Sequence, residues 1–452
     1  MMTVKEAASA LGSEWQGKDI FFTGVSTDSR KIEHGDLFIG LKGERFDGDE
    51  FVSTASEKGA VAAMVNQGTG IKIKKLGIPL IFVKDTRIGL GRLAGHWRRR
   101  FTLPLVAVTG SNGKTTVKEM IASILSQTTG SKDKVLSTEG NLNNDIGVPQ
   151  MLLRMREKHD YAVIEMGMNH AGEIGYLSEL VRPSVALINN AGEAHLDGLG
   201  SVEAVARAKG EIFEGLGLKG VAVINADDVY APLWRKLAGS RRVVDFGLNS
   251  GAMVSAHYQT NLFNIQMKLM LPDGTEEVSL QVPGEHNVRN ALAAAAATTA
   301  MGIAKETIAQ GLMSFCGIKG RMQKKHGLNE AILIDDSYNA NPESVRAAIA
   351  LLAAAQGKRI LVLGDMGELG SNAVTLHEQI GEEARLAGLD GLFAMGKLSA
   401  ATVDKFGKGA RHYERIEELV AEVRGQLAAD VTILVKGSRF MQMERVVKAI
   451  ES

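Results

Sequence analysis

The stretch "VAVTGSNGKTTVKEM", Val106 to Met120, decides how the chain is read. A short apolar strand, Leu103 to Val108, runs into a glycine-containing turn. The apolar residues Val117, Met120, Ile121, Ile124 and Leu125 then recur at helical spacing. Such a junction aims the unpaired amides and the positive end of a helix at the turn, where an anion fits. Lys114 is placed to reach terminal phosphates and the Thr115 hydroxyl to hold magnesium. The spacing is abbreviated, however. In GxxxxGK[ST] the opening glycine would stand where Val108 stands, and Gly110 comes two residues late. The candidate nucleotide loop is therefore Thr109, Gly110, Ser111, Asn112, Gly113, Lys114, Thr115 and Thr116.

Outward from this loop, the strand-like runs "YAVIEMG", "SVALINN", "GVAVINA" and "RVVDFG" alternate with helical stretches, the rhythm of a covered parallel sheet. More polar strand pairs follow between Met253 and Val282, and an alanine-rich helix begins near His286. A last block repeats the alternation with "AILIDD", "RILVLGD", "GLFAMG" and "VTILVKG". It reads as an open α/β unit of dinucleotide-binding type without GxGxxG after its first strand. The first block carries short runs such as "GDLFIGL" and "PLIFV". The fold class is α/β with three domains: a small α/β unit at 1–84, a central phosphate-loop unit with a mostly parallel sheet at 85–313, in which 85–102 forms a linker helix, and a Rossmann-like unit at 314–452. Hinges are expected at 84–102 and 312–320.

Composition narrows the function classes. The 452 residues hold 52 Lys plus Arg against 52 Asp plus Glu, so no basic field argues for nucleic acid and any anion must be held by local groups. The single cysteine, Cys316, excludes an internal disulfide and a multi-cysteine zinc site, and is read as a small buried residue near a domain junction. "MMTVKEAASALGSEW" lacks a basic start followed by an apolar run, and "ALAAAAATTAMGIA" is short of a membrane span. A cytoplasmic protein with no membrane insertion, monomeric by default, is expected.

Ligands of open parallel sheets gather at the carboxyl ends of the strands. Glu165 closes one such strand, where a carboxylate could face the same magnesium as Thr115. "NNAGEAHLDGLGS" puts His195 and Asp197 on the same edge, where His195 is either structural or a metal ligand. Lys209 lies in a helix after that loop. Spacing does not distinguish a surface lysine from a partly buried one able to lose its proton and react. "GIKGRMQ" supplies Arg321, and "IDDSYNANPESV" places Asp336 at a strand end. In "LVKGSRFMQME", Lys436, Ser438 and Arg439 stand at the mouth of the last helix, as an anion seat or as ordinary capping. In the first block, Ser29, Arg30 and Lys42 are either loop chemistry or a seat for a diphosphate or a uracil edge.

TGSNGKTT resembles the shortened phosphate loop of the Mur ligases, the ATP-dependent amide-forming enzymes of peptidoglycan precursor synthesis, and of their folylpolyglutamate synthetase relatives. The DSR block, the EMG strand, the HLD loop, AKGEI, "GEHNVRNALAA", the GR pair and DDSYNANP follow in the family order, so the resemblance spans essentially the whole chain. Within the family, "TEGNLNNDIGVP", "LGDMGELG" and "LVKGSRFMQMERVV" are similar to the member that adds D-alanyl-D-alanine to UDP-N-acetylmuramoyl-tripeptide. The resemblance implies ATP and two magnesium sites. Lys114 and the loop amides would hold the phosphates, Thr115 and Glu165 one magnesium, and His195 a second, supported by a CO2-derived carbamate on Lys209. It further implies His286, Asn287 and Asn290 at the base, Arg321 and Asp336 at phosphate and ribose, Ser29, Arg30, Lys42, Asp47 and Gly48 at the UDP end, and Asn143 and Asn144 in the substrate loop. Lys436, Ser438 and Arg439 would serve the dipeptide. Two other readings are a family ligase with a different amino-acid acceptor and a nucleotide-regulated binding protein. Glu165, His195 and Lys209 together speak against the second, since a switch needs no second metal.

Overall fold

The long apolar runs become strands of three of the five sheets in a computed structural model that describes residues 1–43, 46–68, 77–193, 196–249 and 251–452. The first sheet has five strands in the spatial order Glu14–Gln16, Leu80–Val83, Ala62–Asn66, Asp36–Ile39 and Gly24–Ser26, parallel except for its first pair.

The second is fully parallel: Arg242–Phe246, Val221–Asn225, Val185–Ile188, Leu105–Thr109, Tyr161–Glu165 and Val135–Ser137. Helices cover both of its faces, so its strands are continuous apolar runs rather than alternating ones. Leu105, Val106, Ala107 and Val108 are all fully buried. The chain leaves Leu105–Thr109 toward one edge of the sheet and returns on its other side, making that strand the switch point where ligands gather. The alanine-rich helix Glu285–Ala300 packs on the phosphate-loop helix Lys114–Thr129. Its buried Ala291 to Ala297 keep the two backbones close. The expected polar strands are a three-stranded antiparallel sheet, Ser255–Thr260, Ile265–Leu271 and Gly274–Leu280. In its middle strand Ile265, Met267, Leu269 and Leu271 point inward at period two.

The third sheet runs Gln323–His326, Ile332–Asp336, Val431–Lys436, Lys358–Gly364, Gly391–Met395 and Ala410–Tyr413, with only the first strand antiparallel. The edge strands Val135–Ser137, Gln323–His326 and Ala410–Tyr413 escape a sequence reading because they are short and half exposed.

Two expectations are corrected. No free hinge occupies 84–102: Thr86–Arg98 is a helix with Leu90, Leu93 and Ala94 buried. Trp97 Nε1 donates to Met155 O at 3.0 Å and Arg98 Nε to Val181 O at 2.8 Å, so the helix is fixed to the central unit. Apolar residues from the first and central units share one core around it. Cys316 is exposed rather than buried, because it falls in the irregular segment after the helix Lys305–Met313. Among the described residues no helix is long and apolar enough to cross a membrane.

Candidate active site

Gly113 opens the phosphate-loop helix in the left-handed region, with φ 76°. A Cβ there would lie 2.2 Å from Asn290 Oδ1 and 2.6 Å from Asn189 Nδ2, so only glycine fits. The helix carries no side-chain cap, which leaves its first-turn amides available to an anion. The loop itself is shaped by asparagines that sequence reading passed over. Asn112 N donates to Asn190 Oδ1 at 2.8 Å, and Asn189 Nδ2 donates to Asn112 O at 2.9 Å and Asn290 Oδ1 at 3.1 Å. Asn290 Nδ2 in turn donates to Asn287 Oδ1, and Asn287 Nδ2 to Pro283 O. Asn287 and Asn290 therefore brace the loop. The one available signal for Asn189 and Asn190 was a polar pair closing the apolar run "SVALINN". Thr109 turns its hydroxyl away, to Met166 O, while Ser111 Oγ accepts from Gly192 N. Lys114 Nζ donates to Gly110 O at 2.6 Å and Ser111 O at 3.3 Å. Desolvation pushes its ammonium below the ordinary lysine range, with Glu165 opposing that shift and Arg321 adding to it.

Glu165 ends its strand almost wholly buried. Asn143 Nδ2 donates to Oε1 at 2.7 Å, while Oε2 is buried with no hydrogen-bond partner. Leaving a charged acceptor so placed unsatisfied costs more than the roughly 1–3 kcal/mol of a neutral group, and a cation removes that penalty. Asn143 thus serves Glu165 rather than pointing free. Asn144 Oδ1 accepts from Gly147 N at 2.8 Å and shapes the entry of the helix Gly147–Leu153. Lys209, in the helix Val202–Gly210, is 1% exposed. Burial pushes its amine well below the ordinary range, and the charge of Lys114 adds to the shift. His195 lies outside the described residues. Among the described residues no three His, Cys, Asp or Glu side chains gather as a metal cluster.

The third unit closes on the loop. Arg321 Nη2 donates to Thr115 Oγ1 at 3.1 Å, and its guanidinium lies 4.5 Å from the Tyr338 ring centroid. Asn341 Nδ2 donates to Asn112 Oδ1 at 2.8 Å, and Asn112 Nδ2 to Glu343 Oε2 at 2.6 Å. Asn341 also caps the helix Pro342–Ala353 through a capping box. Arg346 pairs with Glu193 at 3.4 Å. Asp336 accepts from Met322 N and pairs with the buried Lys436, which also donates to Asn339 O at 3.0 Å. Ser438 Oγ donates to Ala340 O and accepts from Gly367 N. The expected anion seat at KGSR therefore differs from the structure. Lys436 and Ser438 are internally partnered, and a short 3-10 turn, Arg439–Met441, separates the strand from the helix Glu444–Ile450. Arg439 alone is exposed to the cleft, paired with Glu444 at 2.9 Å.

These walls enclose a cleft of about 960 Å³. It brings together Lys114, Thr115, Glu165, Asn143, Asn144, His286, Asn287, Asn290, Arg321, Asp336, Lys436, Ser438 and Arg439. His286 sits over Gly284, and desolvation lowers its pKa. The first-unit residues are not brought there. Arg30 is exposed and paired with Asp28, Lys42 faces Asp47 at 3.7 Å, Asp47 caps the turn Gly48–Phe51, and a Cβ on Gly48 would meet Leu41 O at 2.4 Å. Ser29 stands in the same surface loop. That face still touches the central unit, through Thr27 Oγ1 accepting from Gln150 Nε2 at 2.7 Å. Glu343, Asn341 and Glu368 also line the cleft; they lie in "IDDSYNANPESV" and "LGDMGELG", stretches noted in the sequence without a role for these residues.

Comparison with known proteins agrees with this architecture. Family models match in sequence order: "Mur ligase family, catalytic domain" at 21–98, "Mur ligase middle domain" at 108–298, and "Mur ligase, glutamate ligase domain" at 320–439. The UDP-N-acetylmuramoyl-tripeptide--D-alanyl-D-alanine ligase of Escherichia coli K12 is 42% identical, over 100% of this chain and 98% of its own. The Bacillus subtilis enzyme of the same name is 37% identical, over 94% and 92%. Among solved structures, MurF from Acinetobacter baumannii superposes with a TM-score of 0.91 at 36% identity, over 99% of this chain and 98% of that one. MurF from Thermotoga maritima in complex with ADP gives 0.83 at 26%, over 96% and 98%. Full-length likeness at these identities, on a chain whose shortened loop sits at the switch point of its central sheet, makes it a member of the Mur ligase family.

Proposed function

We propose that the chain joins D-alanyl-D-alanine to UDP-N-acetylmuramoyl-tripeptide, as its relatives' names describe, and splits ATP to ADP and phosphate in doing so. The observation that carries this reading is the half-bonded carboxylate of Glu165 facing a nucleotide loop under a closed third unit. In this reading residues 1–84 take the UDP end through Ser29, Arg30, Lys42, Asp47 and Gly48. Residues 85–313 hold ATP, and residues 314–452 close over it and bring the dipeptide. Such an enzyme, fed by ATP and a UDP-linked precursor, works in the cytoplasm.

Magnesium would fit on the orphaned oxygen of Glu165, and Thr115 would be its companion ligand. A second ion would fall to His195 and a carbamate on Lys209. Bound magnesium supplies charge neutralisation between two anions, the peptide carboxylate and the γ-phosphate. The chain supplies the rest. Lys114 and the helix amides orient the phosphates, and Arg321 delivers a guanidinium to the same hydroxyl of Thr115. Carboxylate attack on phosphorus gives an acyl phosphate and ADP. The dipeptide amine then attacks the acyl carbon, and phosphate leaves. An acyl phosphate is lost if water reaches it, and the bonds of Asn341 and Glu343 to Asn112 close the third unit over the loop against that loss.

The test is direct: with ATP, magnesium, UDP-muramoyl-tripeptide and D-alanyl-D-alanine, the product mass should be that of the pentapeptide precursor. A free amino acid driving ADP release at lower concentration than the dipeptide would overturn the acceptor assignment. Lys209 gives a second expected result. Its neutralising burial suits an amine that adds CO2, so Lys209→Ala should lose turnover and recover part of it with added short carboxylates. Normal turnover in that variant would remove the carbamate from the mechanism.

A further inference from the structure

The helix Lys114–Thr129 carries another lysine, one turn beyond Lys114, that the chemistry above does not use. Lys118 is 1% exposed, in a helix that packs on the strands Tyr161–Glu165 and Val135–Ser137. Its ammonium donates to Thr138 O at 2.8 Å and pairs with the half-exposed Glu119. That pair does not account for the burial. A partly exposed ion pair contributes little, whereas taking an ammonium out of water is costly, and a methionine would fill the same space without the cost. The bond to Thr138 is what the lysine adds.

Thr138 stands where the edge strand gives out. Val135–Ser137 stops pairing at Val163, short of Glu165. Thr138 continues the contact by other means: its N–H donates to Val163 O at 3.1 Å, and its side-chain hydroxyl accepts from Glu165 N at 2.9 Å. The chain then enters the segment that returns with Asn143, whose Nδ2 holds Glu165 Oε1 and whose carbonyl accepts from Gly167 N at 2.7 Å. On the opposite flank Met166 N donates to Val108 O at 2.8 Å, in the phosphate-loop strand. Glu165 is thus gripped from two sides, and one grip is rooted at the carbonyl that Lys118 holds.

We propose that Lys118 is a positioning residue for Glu165: by holding the carbonyl of Thr138 it fixes the root of the segment that aims the carboxylate at the phosphate loop. The inference rests on the reading of Glu165 as a magnesium ligand. A carboxylate that meets a cation with one defined oxygen gains from being held before the ion arrives. The helix whose amides face the phosphates then also sets the carboxylate, so one element fixes both halves of the site.

Lys118→Met keeps the stem and removes the donor, and Thr138→Val keeps the shape and removes the hydroxyl. Each should weaken magnesium binding to the ATP-free enzyme by about 10-fold, read from how the melting midpoint rises with magnesium concentration. Thr138→Ser, which retains the hydroxyl, should stay near the parent. The double variant should be weakened by about 10-fold rather than about 100-fold, because both changes break one link. In the metal-free protein, hydrogen exchange over residues 138–146 should rise in Lys118→Met while that of the helix Lys114–Thr129 stays parental. An unchanged magnesium dependence in Lys118→Met, whatever its melting temperature, overturns the proposal and leaves Lys118 as a packing residue. If that variant does not fold, an unchanged dependence in Thr138→Val overturns it equally. A parent whose melting ignores magnesium would instead refute the metal reading beneath it.

Discussion

Lys114→Ala is expected to lower kcat by on the order of 10³-fold, about 4 kcal/mol of transition-state stabilisation. The magnitude follows from the lysine's setting. Its Nζ is half-buried, donates to Gly110 O and Ser111 O, and is already less solvated than a surface ammonium, so its charge acts through a low-dielectric path. Lys114→Arg should restore little, because a planar fork does not replace a compact point charge folded inside a tight loop. ADP release at saturating substrates measures the effect. A Lys114→Ala enzyme within tenfold of its parent would move the nucleotide's phosphates elsewhere.

Glu165→Gln should be nearly as damaging to turnover, by roughly 10²- to 10³-fold, yet leave the fold at least as stable. The amide keeps the acceptor that Asn143 Nδ2 uses and replaces an unpartnered buried charge with a neutral group. It also puts N–H hydrogens where a cation would sit. Magnesium titration followed by thermal melting separates these effects. The parent's midpoint should rise with magnesium, as for any ligand of the native state, and the variant's should not. Equal magnesium response in both proteins would detach Glu165 from the metal.

The two positions differ in how they could be known. Lys114 and Thr115 were legible because their chemistry is local: a strand, a turn and a helix start within a dozen residues. Glu165 was legible from its place at a strand end, but its unpartnered oxygen was not, because that depends on Asn143 and burial. Asn341 and Glu343 meet Asn112 across more than two hundred residues of chain, and no local period encodes such a meeting. The expected hinge at 84–102 was placed on the helical run that leads into the strand at Leu103, whereas Arg98 buries its guanidinium against the carbonyls of Val181 and Phe101.

That buried helix, Thr86–Arg98, has a mechanical consequence. With one flank packed beside the first sheet and the other bonded to the central one, the helix joins the two front units through one continuous core into a single casting. In the proposed reading, a long precursor held at its far end by the first unit meets the nucleotide at a constant reach, so the joined units gauge molecular span before any bond is made.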